Sequence, residues 1–95
     1  MIKVVFMYEV ESEKQHDYLE ATVEKIKPFW EAQGCQSYNV WQEEDGNKFI
    51  KEMIFPDSDA RNKVVGLQSD EANSIRALWK SFLTEFTMKT YIKKI

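Results

Sequence analysis

Apolar and polar positions alternate with period two along residues 2–10: Ile2, Val4, Phe6, Tyr8 and Val10 form one row, and Lys3, Val5, Met7 and Glu9 the other. This spacing predicts a strand, and because its second row is apolar in the middle, both of its faces need cover. From Tyr18 the period changes. Tyr18, Leu19, Thr22, Val23, Ile26, Phe29 and Trp30 recur at helical spacing, with Lys14, Asp17, Glu20, Glu24, Lys25 and Lys27 on the opposite side, which predicts a helix over 13–33. Ser12 followed by Gln15 has the form of a capping box, Pro28 should loosen the last turns, and Gly34 marks the stop.

Period two then returns twice, over 36–43 and 48–55, on either side of Asp45-Gly46-Asn47. Asp-Gly between two such runs is a hairpin signal, with glycine expected to supply a positive φ. In the first run Tyr38, Val40 and Gln42 face one way, and Ser37, Asn39 and Trp41 the other. In the second, Ile50, Glu52 and Ile54 oppose Phe49, Lys51, Met53 and Phe55, and Glu52 stands out as the least expected charge. Pro56 closes that strand, and Asp57 or Asp59 can cap the next helix. Residues 58–84 read as two helices, broken at Gly66 and restarted at Ser69-Asp70. Ala72, Ile75, Leu78, Trp79, Phe82 and Phe86 lie at helical spacing, and a last strand spans 87–95.

The order is β-α-β-β-α-β: an α+β, ferredoxin-like domain over residues 1–95 with a four-stranded antiparallel sheet. Two helical regions in a chain this short cover one sheet face only, so a second copy of the protein is the simplest cover for the other. The composition supports a packed core, being 43% hydrophobic with 14% aromatic residues. Thirteen basic residues interspersed among 16 acidic ones leave no basic face for nucleic acid or an anionic membrane. A single cysteine, Cys35, excludes an intrachain disulfide, and the apolar N-terminal run lacks a charged leader, a cleavage site and the length of a span. The expectation is a cytoplasmic protein.

The element order and the text QGCQSYNVWQEEDGNKFIKEMIFPD, with Gly34, Tyr38, Gly46 and Glu52 as its marked positions, resemble the dimeric α+β barrel superfamily, in particular its antibiotic-biosynthesis-monooxygenase-like branch. The resemblance covers essentially the whole chain. It implies a homodimer in which two sheets face each other in a shared barrel. It also implies a pocket between helices and sheet for small aromatic or polyketide-like substrates, and oxygen chemistry without a cofactor, in which an electron-rich phenol supplies the electrons. Haem-degrading members of the superfamily use an Asn on the first strand, a Trp at the end of the third and a His on the second helical region. By rough alignment this chain carries Met7, Phe55 and Arg76 there, which speaks against a haem oxygenase.

The residues suited to a pocket are Tyr8, Tyr38, Trp41 and Trp79, whose hydroxyl and indole groups orient planar ligands, with Glu52 as the candidate general base. The alternative for Glu52 is a carboxylate at a dimer interface or paired with Lys51, Lys89 or Lys93. His16, the only histidine, reads as a solvated helix residue, and Cys35 as a small hydrophobe. No metal-ligand spacing, nucleophile elbow or phosphate-cradling glycine loop occurs. The competing expectation for function is a non-enzymatic homodimer that binds a small ligand or serves as a stress-related module.

Overall fold

The computed structural model describes residues 1–95. The strands are β1 (Ile2–Glu9), β2 (Ser37–Gln42), β3 (Lys48–Phe55) and β4 (Phe86–Ile92), in the antiparallel order β2-β3-β1-β4. The helices are α1 (Ser12–Ala21), α2 (Lys27–Ala32), α3 (Ser58–Val65) and α4 (Asp70–Lys80). This is the expected ferredoxin-like arrangement. Strand rows fall as the alternation requires: Val4, Phe6 and Tyr8 of β1, Tyr38 and Val40 of β2, and Phe49, Lys51, Met53 and Phe55 of β3 face the helices. The opposite face carries Met7, Trp41, Ile50, Glu52 and Tyr91, and no element of the chain covers it.

The expected 13–33 helix is interrupted. Thr22–Ile26 forms a π-helical turn, in which the amide of Lys27 bonds back to the carbonyl of Thr22. Pro28 lies in the first turn of α2, so widening the preceding turn accommodates a residue that has no N–H to offer. Thr22 Oγ1 donates to the Tyr18 carbonyl at 2.8 Å and occupies part of the loosened ladder. Gly34, at φ +117°, ends the segment as expected.

Three local expectations are corrected. Ser12 and Gln15 form no capping box: the Gln15 amide donates to the Val10 carbonyl and to Asn47 Oδ1, both at 2.9 Å, and Ser12 Oγ also reaches Asn47 Oδ1. The pair therefore ties the helix start to the hairpin tip. Gly46 has no positive φ, because the loop is longer than a two-residue turn. The Lys48 carbonyl accepts from the Glu43 amide, and the Gly46 amide bonds to the Glu43 carbonyl, giving a four-residue connection that does not need left-handed backbone. The last strand spans Phe86–Ile92, ending three residues earlier than the sequence reading, and is exposed on both faces. The caps at Asp57 and Ser69 form as expected, accepting from the amides of Ala60 (2.8 Å) and Ala72 (3.0 Å).

Candidate functional site

Between helices and sheet the core is unusually aromatic. Tyr8 stands edge-on to Trp79 (centroids 5.2 Å apart, 83°) and to Tyr18, and lies parallel to Phe49. Ser69 fixes the start of α4, and so aims the Trp79 indole onto Phe6 and Phe86. Two tyrosine hydroxyls meet there, those of Tyr8 and Tyr18, in a mutual hydrogen bond. Burial raises both above the ordinary tyrosine range, so both stay protonated. Tyr38 is also held up, chiefly by burial, and its hydroxyl has no partner. Trp79 Nε1 is likewise buried without a hydrogen-bond acceptor.

Lys51 occupies the centre of this layer. Its residue is only 5% exposed, and Thr22 is the only other polar residue buried to this degree. The register places it beside Phe6 on β1 and Val40 on β2. Its ammonium lies 3.7 Å from the Trp79 ring centre, 4.3 Å from that of Phe6 and 5.5 Å from that of Tyr38, with no carboxylate in salt-bridge range. Burial, reinforced by repulsion from Arg76 and Lys80 on α4 and only partly countered by Cys35, pulls it down to about 7. Sequence reasoning passed it over in favour of Glu52. The signal was present in the row Phe49-Lys51-Met53-Phe55, where a lysine interrupts the most apolar face of β3.

Glu52 points the other way. On the uncovered face it accepts from Trp41 Nε1 at 3.0 Å and pairs with Lys3 at 3.1 Å, a partner other than the three lysines proposed from sequence. Trp41 beside it is 60% exposed. The five residues expected in one pocket thus divide: Tyr8, Tyr38 and Trp79 are inward, whereas Trp41 and Glu52 are outward, on opposite sides of a sheet that side chains cannot cross.

Two openings flank the layer. A cleft of about 400 Å³ runs between the π-helical turn and edge strand β2, lined by Leu19, Thr22, Val23, Lys27, Tyr38, Val40 and Trp41. Lys27 Nζ there bonds to the Tyr38 carbonyl (2.6 Å) and to Glu31 (2.8 Å), and the hydrogen bond from Lys27 holds the Glu31 carboxyl below its usual range. A wider groove of about 770 Å³ at the end of the sheet touches Tyr8, Trp41, Phe49 and Phe86. Trp79 and Glu52 line neither. Elsewhere, His16 is exposed and pairs with Glu20 at 3.5 Å, and Cys35 is buried, its thiol pushed up by desolvation. No group of three His, Cys, Asp or Glu side chains is placed to hold a metal ion, and no helix is long and apolar enough to cross a membrane.

The fold recurs in solved structures. One is a conserved protein from Methanosarcina mazei Go1, 25% identical, with TM-score 0.78 over 98% of this chain and 92% of that one. Another is SnoaB, a cofactor-independent oxygenase from Streptomyces nogalater, 14% identical, with TM-score 0.82 over 99% and 93%. A third is a NIPSNAP domain protein from Burkholderia xenovorans, 10% identical, with TM-score 0.79 over 99% and 95%. No curated protein sequence matches the chain significantly. The family model for antibiotic biosynthesis monooxygenase matches residues 1–61, from β1 through the hairpin into α3, and the chain belongs to that family.

Proposed function

We propose that the protein is a small-molecule monooxygenase that needs no cofactor and acts on an electron-rich phenolic or polyketide-like substrate held between helices and sheet. The observation that carries this reading is the aromatic interior behind a cleft of about 400 Å³, in whose wall Tyr38 lies with its buried hydroxyl unpartnered. Ligand sites are typically concave and apolar with a few orienting polar atoms, and buried polar groups are otherwise nearly always paired. Family membership supports the reaction class. In that chemistry the substrate supplies the electrons: one oxygen atom of dioxygen becomes a new carbonyl on the ring carbon, and the other leaves as water with the two displaced hydrogens. Tyr38, in the cleft wall, orients the ring, and the packed aromatic layer of Tyr8 and Trp79 behind it excludes water.

The second part of the proposal is a homodimer joined through the uncovered sheet face. Trp41, Ile50 and Tyr91 are exposed there beside Met7 and Ile54, and homodimers are common in the family. On this reading Trp41 and Glu52 belong to the interface, with Glu52 satisfied by Lys3 and the Trp41 indole and taking no part as a base.

Oxygen uptake with a dihydroxyanthrone, measured against a protein-free control and with isotopically heavy dioxygen, tests the activity. The expected result is protein-dependent uptake with one labelled atom in the quinone product. A bound anthrone whose oxidation is no faster than in the control overturns the oxygenase reading and leaves a small-ligand-binding dimer.

A further inference from the structure

The helix-facing layer of the sheet holds donors without acceptors. Lys51 Nζ has three N–H bonds and neither an ion-pair nor a hydrogen-bond partner, Tyr38 Oη is unpartnered, and no carboxylate is buried. Arg76 and Lys80 of α4 add positive charge on the same side. Arg76 is engaged by Asn73, the Val65 carbonyl and the face of Trp30, and neither it nor Lys80 is paired with an acid. The rings of Trp79 and Phe6, in edge contact with each other, both face the Lys51 head but accept no conventional hydrogen bond. What such an environment lacks is an anionic oxygen.

Resting on the oxygenase reading above, we propose that Lys51 is the catalytic base and anion partner for the ionisable hydroxyl of the substrate, which is a phenol or enolisable aromatic ketone bound as its oxyanion. The neutral amine takes the hydroxyl proton: the substrate O–H bond breaks, an N–H bond forms, and the electron pair stays on the substrate oxygen. The resulting ammonium then pairs with that oxygen. Lys51 itself lines neither opening, so the hydroxyl reaches it from the cleft whose wall holds Tyr38, the ring of which lies 5.5 Å from the ammonium. Dioxygen is not needed for this step, and the electron-rich anion it creates is the form that the proposed oxidation consumes.

The electrostatics agree with the geometry. The titratable groups facing Lys51 are Cys35 before β2, Tyr38 on β2, and Arg76 and Lys80 on α4. Phe6 of β1 contributes none. With Lys51 pulled to about 7 by burial first and by the α4 cations next, a large share of the protein carries the neutral amine at neutral pH. A surface lysine offers almost none.

The test uses 4-nitrophenol, whose anion has its own visible absorption band, with 4-nitroanisole as the control that has no proton to give. At a pH below that of its free ionisation, wild-type protein is expected to bind 4-nitrophenol and bring up the anion band. Lys51→Met should bind it about 10- to 100-fold more weakly and without the band, the loss of one charge-assisted hydrogen bond. Lys51→Arg, a fixed cation that pairs with the anion but cannot take the proton, should keep the band while slowing its appearance after mixing. Thermal melts of each variant establish folding. A wild-type protein that leaves the phenol neutral, or a folded Lys51→Met variant that ionises it equally, overturns the assignment. Anion binding without oxygen uptake removes the oxygenase reading alone, whereas oxygen uptake unchanged in Lys51→Met removes the Lys51 assignment alone.

Discussion

Replacing Lys51 by Met should make the protein more stable, by an amount that depends on pH. An unfolded lysine ionises near 10.5, and the folded one near 7. At roughly 1.4 kcal/mol per pH unit, that gap makes holding the charged form in the core cost ~5 kcal/mol. The attraction of Trp79 and Phe6, at 3.7 and 4.3 Å, is worth ~2 kcal/mol and vanishes with the ammonium. Methionine, unbranched and of similar length, fills the space, so a net gain of ~2–3 kcal/mol is expected where the wild-type lysine is charged, at about pH 6. Between the folded and unfolded values the unfolded chain holds a proton that the folded chain does not, so low pH favours unfolding. Wild-type stability therefore climbs as pH rises from about 7 towards 10.5, and the advantage of the variant shrinks over the same range. Urea unfolding of both proteins at several values between about pH 6 and about pH 9 measures this, and the comparison cancels every titration the two share. At a slope of ~1–1.5 kcal/mol per molar urea, the midpoints should differ by ~1–3 M at the acid end and converge towards the alkaline end. Parallel curves across the range, or a variant less stable throughout, would refute the reasoning that the buried lysine is unpaired.

Three further outcomes can be checked on the same material. Trp41→Asp places a charge on the uncovered sheet face, at its β2 edge, and should convert a dimer into a folded monomer in sedimentation velocity, with the melting temperature falling as well. Gly34→Ala should cost ~1–2 kcal/mol in chemical denaturation through its φ of +117° alone, because the added methyl group would sit at an ordinary 3.7 Å from Val64. Tyr38→Phe removes a buried hydroxyl that has no partner, so stability should hold or rise slightly while affinity for a phenolic ligand falls. Equal affinity in both proteins would remove Tyr38 from the site.

The sheet was legible because period-two alternation is unambiguous when one face is packed. The alternating rows of β1, β2 and β3 read from the sequence are the rows the structure has, while the pairing register and the choice of inward row came only with the fold. The caps at Asp57 and Ser69 were legible because a short polar side chain ahead of a helical run has few competing roles. What failed were contacts between residues far apart in sequence. Gln15 has the spacing of a capping-box partner, but Asn47, thirty-two positions away, lies within its reach and takes its amide. The π-helical turn could not be located from Pro28 alone, since proline announces a missing N–H and the fold decides how the chain absorbs it. Leu19 and Val23 belong to the periodic apolar set yet lie exposed along the cleft, so helical period alone could not separate core from cleft wall.

The candidate site turned on two adjacent residues of β3. Lys51 and Glu52 are the only charges within that strand after its first residue, and alternation sends them to opposite faces. Glu52 drew notice because its own row, Ile50 and Ile54, is apolar, yet that row borders an open face where Lys3 and the Trp41 indole can reach it. The carboxylate is satisfied there, and a satisfied charge needs no ligand to explain it. Lys51 sits in a row that the helices close over, flanked by rings that steady it without accepting its protons. A small domain has only several kcal/mol of net stability, and an unpaired ammonium in its centre consumes a good part of that margin. The local rule that buried charges are paired is broken at one position in this core. A break that two aromatic faces offset only in part is where a function is expected to lie, and in β3 that places the chemistry on the inward amine of Lys51 and not on the outward carboxylate of Glu52.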